Sequence, residues 1–309
     1  MIPIVDLTRY SLSVSEGDAP THTLKKLADE ICSAMKNVGF VYIINHGIPE
    51  EMVTEIFALS KTFFNKPVEV KRNFARPVDD SNGWIDLEKE KLNPDRPFCD
   101  LREAYNMRPT RNSTMPEDIF PEFTKSFKDF FMICENLTWR LLDLLAIGLD
   151  IDRDYLRQCH QKMGKEQNNT TLRANYYPPI RATDVKEGQA RSGEHSDYGS
   201  ITLLFQDDIG RLEIKAQNGD YMPVKPIEGA IVMNLGDMME RWTADSLKAT
   251  KHRVLLPVDE NVQKRSRQSF AFFVQPDDDV MITCLDKSNR YPPISSLDYL
   301  KQKFATIYK

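Results

Sequence analysis

Apolar residues recur at three- and four-residue spacing over 21–38, where Leu24, Leu27, Ile31 and Met35 share a face, and this predicts an amphipathic helix. Gly39 ends it, and the apolar, β-rich run Phe-Val-Tyr-Ile-Ile (40–44) predicts a short buried strand. After the Asn-His-Gly-Ile-Pro turn a second helix is expected over 49–65. Residues 76–116, rich in Pro, Asp, Asn and Arg, read as irregular. A long helix follows from about 116 to 149, with Phe120, Phe123, Phe127, Phe130, Phe131 and Cys134 on one broad side. The first half therefore reads as helices with little strand.

From Thr170 onwards the pattern changes to short β-type runs separated by turn residues, at 171–177, 200–206, 211–215, 221–224, 230–234, 251–256 and 267–274. That spacing predicts an antiparallel sandwich or barrel. One short helix is expected over 237–247 and a closing helix over 295–308. The fold class is α+β: a jelly-roll (double-stranded β-helix) core with a helical N-terminal region and flanking helices.

Charge and cysteine usage narrow the partners. A net charge of −5 with Lys and Arg interleaved among Asp and Glu gives no footprint for nucleic acid. No stretch approaches the ~18 apolar residues of a membrane span. The five cysteines are scattered and never in CxxC spacing, which points to reduced thiols and a cytoplasmic protein. The N-terminus lacks the basic start and apolar run of a signal peptide. The expectation is a small-molecule protein without nucleic-acid or membrane partners, a monomer or weak homodimer.

The strongest chemical signal is Gly-Glu-His195-Ser-Asp197-Tyr-Gly-Ser. On a strand, two-residue spacing puts both side chains on one face. A third arm has to come from another strand, and His252, opening an apolar run, is the candidate. Two histidines and a carboxylate leave open positions on an Fe(II) ion that must bind a cosubstrate and O2. Zinc is disfavoured, since neither HExxH nor paired cysteines occur. HxD alone arises by chance in many proteins.

Two further pairs share the spacing. Arg267 and Ser269 would face one side of a strand, and an inward arginine needs a buried anion, either an internal Asp or Glu or a ligand carboxylate. Asn175 and Tyr177 likewise fall on one face, as a site or as ordinary edge pairing before a proline turn. Three inward polar pairs on separate strands fit a site better than packing. Tyr105, Phe205, Phe272 and Phe273 are candidate walls of the substrate pocket. His46 reads as packing its turn, Trp242 as packing, and His22 and His160 as surface residues.

The run 195–210, His-Ser-Asp-Tyr-Gly-Ser-Ile-Thr-Leu-Leu-Phe-Gln-Asp-Asp-Ile-Gly, resembles the iron-binding segment of the Fe(II)/2-oxoglutarate-dependent oxygenases of the isopenicillin N synthase-like family. Segments 234–243 and 248–254 resemble that family's third-ligand region, Asn-Tyr-Tyr-Pro-Pro and Arg-Gln-Ser its cosubstrate motifs, and 2–7 with 39–49 its N-terminal region. The resemblance covers nearly the whole chain. It implies His195, Asp197 and His252 as iron ligands, Arg267 and Ser269 on the distal carboxylate of 2-oxoglutarate, and Asn175 and Tyr177 along the cosubstrate. It implies an N-terminal dioxygenase region (1–120), linking helices (121–165), a jelly-roll core (166–280) and a C-terminal helix (281–309). Ser196 stands where the family more often has Thr, and Arg211 where a second Gly is common; polar 180–194 reads as a flap.

The implied activity is a dioxygenase that hydroxylates, desaturates or cyclises a small molecule, releasing succinate and CO2, with ascorbate as a possible reductant. One alternative is an oxidase resembling isopenicillin N synthase or ACC oxidase, which consumes no 2-oxoglutarate. A remote one is a silent binding protein of the same fold.

Overall fold

The structure, a computed structural model, describes residues 1–77, 80–93, 95–110, 115–116, 120–180, 185–186 and 188–307. The first half holds β1 (Ile4–Asp6), α1 (Thr21–Asn37), β2 (Phe40–Ile44), α2 (Glu50–Phe64), α3 (Val68–Arg72), β3 (Gly83–Ile85), β4 (Glu103–Met107), α4 (Pro121–Gly148) and α5 (Tyr155–Gln158). The second half holds β5 (Thr171–Tyr177), β6 (Ser192–His195), β7 (Ile201–Gln206), β8 (Leu212–Lys215), β9 (Tyr221–Pro223), β10 (Ile231–Leu235), α6 (Asp237–Trp242), β11 (His252–Val254), α7 (Glu260–Gln263), β12 (Arg267–Phe273), β13 (Met281–Ile282), β14 (Ile294–Ser295) and α8 (Ser296–Ile307).

Two sheets form the jelly roll. The larger runs β1-β2-β10-β7-β12-β5-β4-β3 and the smaller β6-β11-β8-β9. Strands from the N-terminal region thus cap both edges of the large sheet. Residues 76–116 are not wholly irregular, because β3 and β4 lie within them. Their polar composition conceals a strand: Glu103 of β4 is buried, accepting from Lys71 Nζ at 2.6 Å and Trp84 Nε1 at 2.8 Å. A buried carboxylate is tolerated only when paired and hydrogen-bonded in this way.

The large sheet has two differently used faces. Its outer face packs on α4, with ring centroids 4.9 Å apart for Phe130 and Phe205, 5.6 Å for Phe127 and Phe270, and 4.9 Å for Phe131 and Phe272. The inner face looks onto the small sheet across a cavity of about 840 Å³. Along β12, Arg267, Ser269, Ala271 and Phe273 line this cavity, while Phe270 and Phe272 join the core.

Period-two alternation therefore corrects three candidate pocket walls. Phe272 is turned to α4, and only its neighbour Phe273 lines the cavity. Phe205 is held against Phe130, and Tyr105 sits among Phe63, Phe123 and Phe127. His160 is corrected as well: it is fully buried, with Nδ1 2.6 Å from Leu156 O and Nε2 2.9 Å from Ser200 Oγ. His46 packs its turn as expected, its Nδ1 accepting from Ile48 N at 3.0 Å. The described cysteines are all free. No helix is long and apolar enough to cross a membrane among the described residues.

Candidate metal and cosubstrate site

His195 closes β6 and His252 opens β11, and the two are direct partners in the antiparallel register. Their ring centroids are 4.3 Å apart. Each imidazole is steered by its own backbone: Nδ1 of His195 is 2.8 Å from Gly193 O, and Nδ1 of His252 is 3.2 Å from Thr250 O. A proton on each Nδ1 satisfies these carbonyls and leaves the Nε2 lone pairs free for a metal. Those Nε2 atoms lie 3.9 and 3.6 Å from Asp197 Oδ1.

Asp197 is not on the strand, as its spacing from His195 suggested, but just beyond the end of β6. It is held there by a backbone clamp: Asp237 N donates to Asp197 O at 2.7 Å and Met238 N to Tyr198 O at 3.1 Å. Two glycines make the clamp possible. A Cβ on Gly236 would stand 2.5 Å from Gly199 O, and one on Gly199 would stand 2.2 Å from Val274 O. The carboxylate is then half used, since Oδ2 accepts from Thr202 Oγ1 and Asn234 Nδ2, both at 2.7 Å.

The electrostatics suit a divalent cation. Burial, then the neighbouring His252, pushes the His195 imidazole down to about 3, so it stays neutral and available. Burial disfavours charge on Asp197, but His252, His195, Asn234 and Thr202 together hold its carboxyl below the ordinary value. The three ligand atoms lie within 4.8 Å of one another, and among the described residues they form the one group so arranged. Two imidazoles and a carboxylate fit Fe(II) with positions left for a cosubstrate and O2.

The second polar pair sits at the other end of β12 from Phe273. Arg267 is 1% exposed, giving Nε to Gly210 O at 2.6 Å and Nη1 to Ser269 Oγ at 3.4 Å. No ion pair within 4.0 Å joins Arg267 to a carboxylate among the described residues; the carboxylate nearest to it in effect is Asp207, already bonded to Ile209 N and Gln268 N. Arg267 is the register partner of Tyr177, and Ser269 of Asn175. Asn175 Oδ1 accepts from Arg173 Nε at 2.9 Å, which engages its amide oxygen and leaves its amide nitrogen as a donor. Arg173 is braced by Glu90, which also pairs with Arg102 at 3.1 Å. Burial opposes charge on Glu90, but Arg173 and Arg102 hold its carboxyl far below the usual carboxylate range.

Sequence reasoning gave no role to Glu90 and Arg102, in the stretch read as irregular, to Arg173, or to Asn234 and Thr202, which lie inside the ligand segments without being singled out. It also missed Arg191, placed in a supposed flap. Part of that segment lies outside the described residues, but Ala190 O accepts from Leu101 N at 3.1 Å and Gly193 N donates to Asp100 at 2.8 Å. Arg211, where a glycine was expected, has φ 69° and donates to Leu256 O at 2.7 Å.

Comparison with known proteins accords with this geometry. Residues 168–276 match the 2OG-Fe(II) oxygenase superfamily, and residues 2–127 match the "non-haem dioxygenase in morphine synthesis N-terminal" family. The chain is 35% identical to a proline hydroxylase, buaE, of Petromyces alliaceus over 82% of each chain. It is 30% identical to the 2-oxoglutarate-dependent dioxygenase frbA of Dothideomycetidae sp. (strain 11243), over 98% of this chain and 92% of that one. A full-length Neurospora crassa protein solved in complex with alpha-KG superposes with a TM-score of 0.85 at 28% identity, covering 98% of this chain and 95% of that one. The chain belongs to the 2OG-Fe(II) oxygenase superfamily and is an oxidoreductase using Fe(II) and 2-oxoglutarate.

Proposed function

We propose that the chain hydroxylates a small polar molecule, holding Fe(II) on His195, Asp197 and His252 and the far carboxylate of 2-oxoglutarate on Arg267 and Ser269. The carrying observation is that one cavity is lined by both the three-ligand cluster and a buried arginine that makes no direct ion pair among the described residues. Iron and 2-oxoglutarate supply the oxidising power when bound; the protein binds, orients and keeps water out. Asn175 offers its amide nitrogen and Tyr177 its hydroxyl to the cosubstrate. Gly193 O and Thr250 O fix the two imidazoles, so that only Nε2 is presented inward.

The substrate enters at the Phe273 end. Phe273, Tyr198, Arg108, Asn169, Lys301 and Phe304 line the cavity there, offering an aromatic wall and hydrogen-bonding groups. Similarity to a protein named a proline hydroxylase, and to a Neurospora crassa protein solved with thymine, supports a small, polar substrate. Five free cysteines support a reducing compartment. We read the chain as one N-terminal region (1–120), linking helices (121–165), a catalytic core (166–280) and a closing helix (281–309), acting as a monomer or weak homodimer.

The test is a screen of small metabolites for substrate-stimulated succinate, with Fe(II) loading measured beforehand under anaerobic conditions. One succinate per substrate oxidised is expected. Oxidised substrate without succinate would restore the oxidase reading.

A further inference from the structure

Two guanidinium groups, not one, lie over the ring of Tyr177. The central carbon of Arg267 is 4.9 Å from the ring centroid, and that of Arg191 is 5.8 Å away. Arg267 is anchored by Gly210 and Ser269. Arg191 is fully buried, and its Nε, Nη1 and Nη2 have no hydrogen-bond partner among the described residues.

Such an arrangement is unfavourable in a closed core, because five N–H donors and a charge lose water without replacement. The surroundings do not compensate. Arg267 and Arg211 are like charges; the nearby carboxylate, Asp207, already accepts from Ile209 N at 3.1 Å and Gln268 N at 2.5 Å. Burial, then Arg267, pushes the Arg191 guanidinium down to about 10, as befits a site short of an anion. The chain also spends structure on holding this segment, through Leu101 N on Ala190 O and Asp100 on Gly193 N.

We propose that Arg191 is a second anchor for the far carboxylate of 2-oxoglutarate, completing with Arg267 a two-guanidinium clamp against Tyr177. This rests on the reading of the Arg267 pocket as the cosubstrate site. A carboxylate has acceptor sites enough for two arginines and a serine. The clamp selects 2-oxo acids with a second carboxylate, since a mono-acid would leave two like charges facing each other.

The test uses the full chain and Arg191→Met, which keeps the apolar stem and removes the charge. Anaerobic calorimetry on the Fe(II)-loaded protein measures binding of 2-oxoglutarate and of 2-oxobutanoate, which has the same keto acid but no far carboxylate. The variant is expected to lose about 30-fold or more in 2-oxoglutarate affinity, as for removal of one partner of a buried charge pair. Its 2-oxobutanoate affinity should not fall. Without ligand it should melt at or above the wild-type temperature, and Arg191→Lys should recover part of the lost affinity. Undiminished 2-oxoglutarate binding in Arg191→Met overturns the proposal alone. So does an equal loss for both acids with a lowered melting temperature, which would make Arg191 structural. A wild type that loads Fe(II) but binds no 2-oxoglutarate overturns the cosubstrate reading and the proposal with it.

Discussion

Asn234 Nδ2 lies 2.7 Å from Asp197 Oδ2, and with Thr202 it takes up one carboxylate oxygen and leaves Oδ1 to face both imidazoles. Such outer hydrogen bonds fix ligand orientation. Asn234→Ala should therefore weaken Fe(II) binding by about 10- to 100-fold while the fold persists. Anaerobic metal titration with a circular-dichroism control measures this. Unchanged iron affinity would remove Asn234 from the metal site.

Arg267 and Ser269 should contribute unequally. Arg267→Ala deletes the anchored charge and should raise the KM for 2-oxoglutarate by about 100-fold, whereas Ser269→Ala should cost about 10-fold or less. Steady-state kinetics at saturating substrate separates the two. Equal effects would show that Ser269 does more than assist the arginine.

Neighbouring phenylalanines on β12 make a two-sided test. Phe272 is packed on Phe131, so Phe272→Ala should cost about 3–5 kcal/mol of stability. Phe273 faces the cavity, so Phe273→Ala should leave stability within about 1.5 kcal/mol of wild type and shift the substrate KM. Chemical denaturation reads the first effect, kinetics the second. A reversed pattern would refute the assignment of the sheet's faces.

His160 gives the fold a defined acid response. Burial lowers its imidazole from 6.5 to about 4, so the folded chain declines a proton that the unfolded chain accepts. Its contribution is fully present above pH 6.5 and is lost as pH falls towards 4, amounting to about 3 kcal/mol. Denaturant unfolding between pH 7 and pH 4 should show a shallower decline for His160→Gln than for wild type. Parallel slopes would locate the acid response elsewhere.

Legibility in the sequence followed the physics of each element. The helices announce themselves because burial on one face imposes a period, and β5 and β12 because they are short β-rich runs bounded by turn residues and buried on both faces. The Arg267–Ser269 pair was visible because polar residues interrupt an apolar strand at two-residue spacing, and the ligand triad because its residues stand in motifs that resemble the family's. β4 was hidden because Glu103 is neutralised by Lys71, a partner 32 positions away that no local pattern reveals. Phe205 and Phe272 were misplaced because apolar character does not say which face of a sheet a residue occupies. Arg191 was overlooked since an arginine in a polar stretch looks solvated until the fold removes its water.

The pairing of β6 with β11 is irregular: His252 faces His195, but Val254 faces Ser192, so two residues on one strand oppose one on the other. Ser192 and His195 consequently both face the cavity although their positions differ by three, an odd step that in a regular strand would put them on opposite faces. The metal site is thereby encoded in chain length as much as in residue type. Exchanging Glu194 for another residue preserves the count; deleting it turns the ligand to the wrong side of the sheet. Along this short stretch, homologues can be expected to drift in composition while gaps are purged.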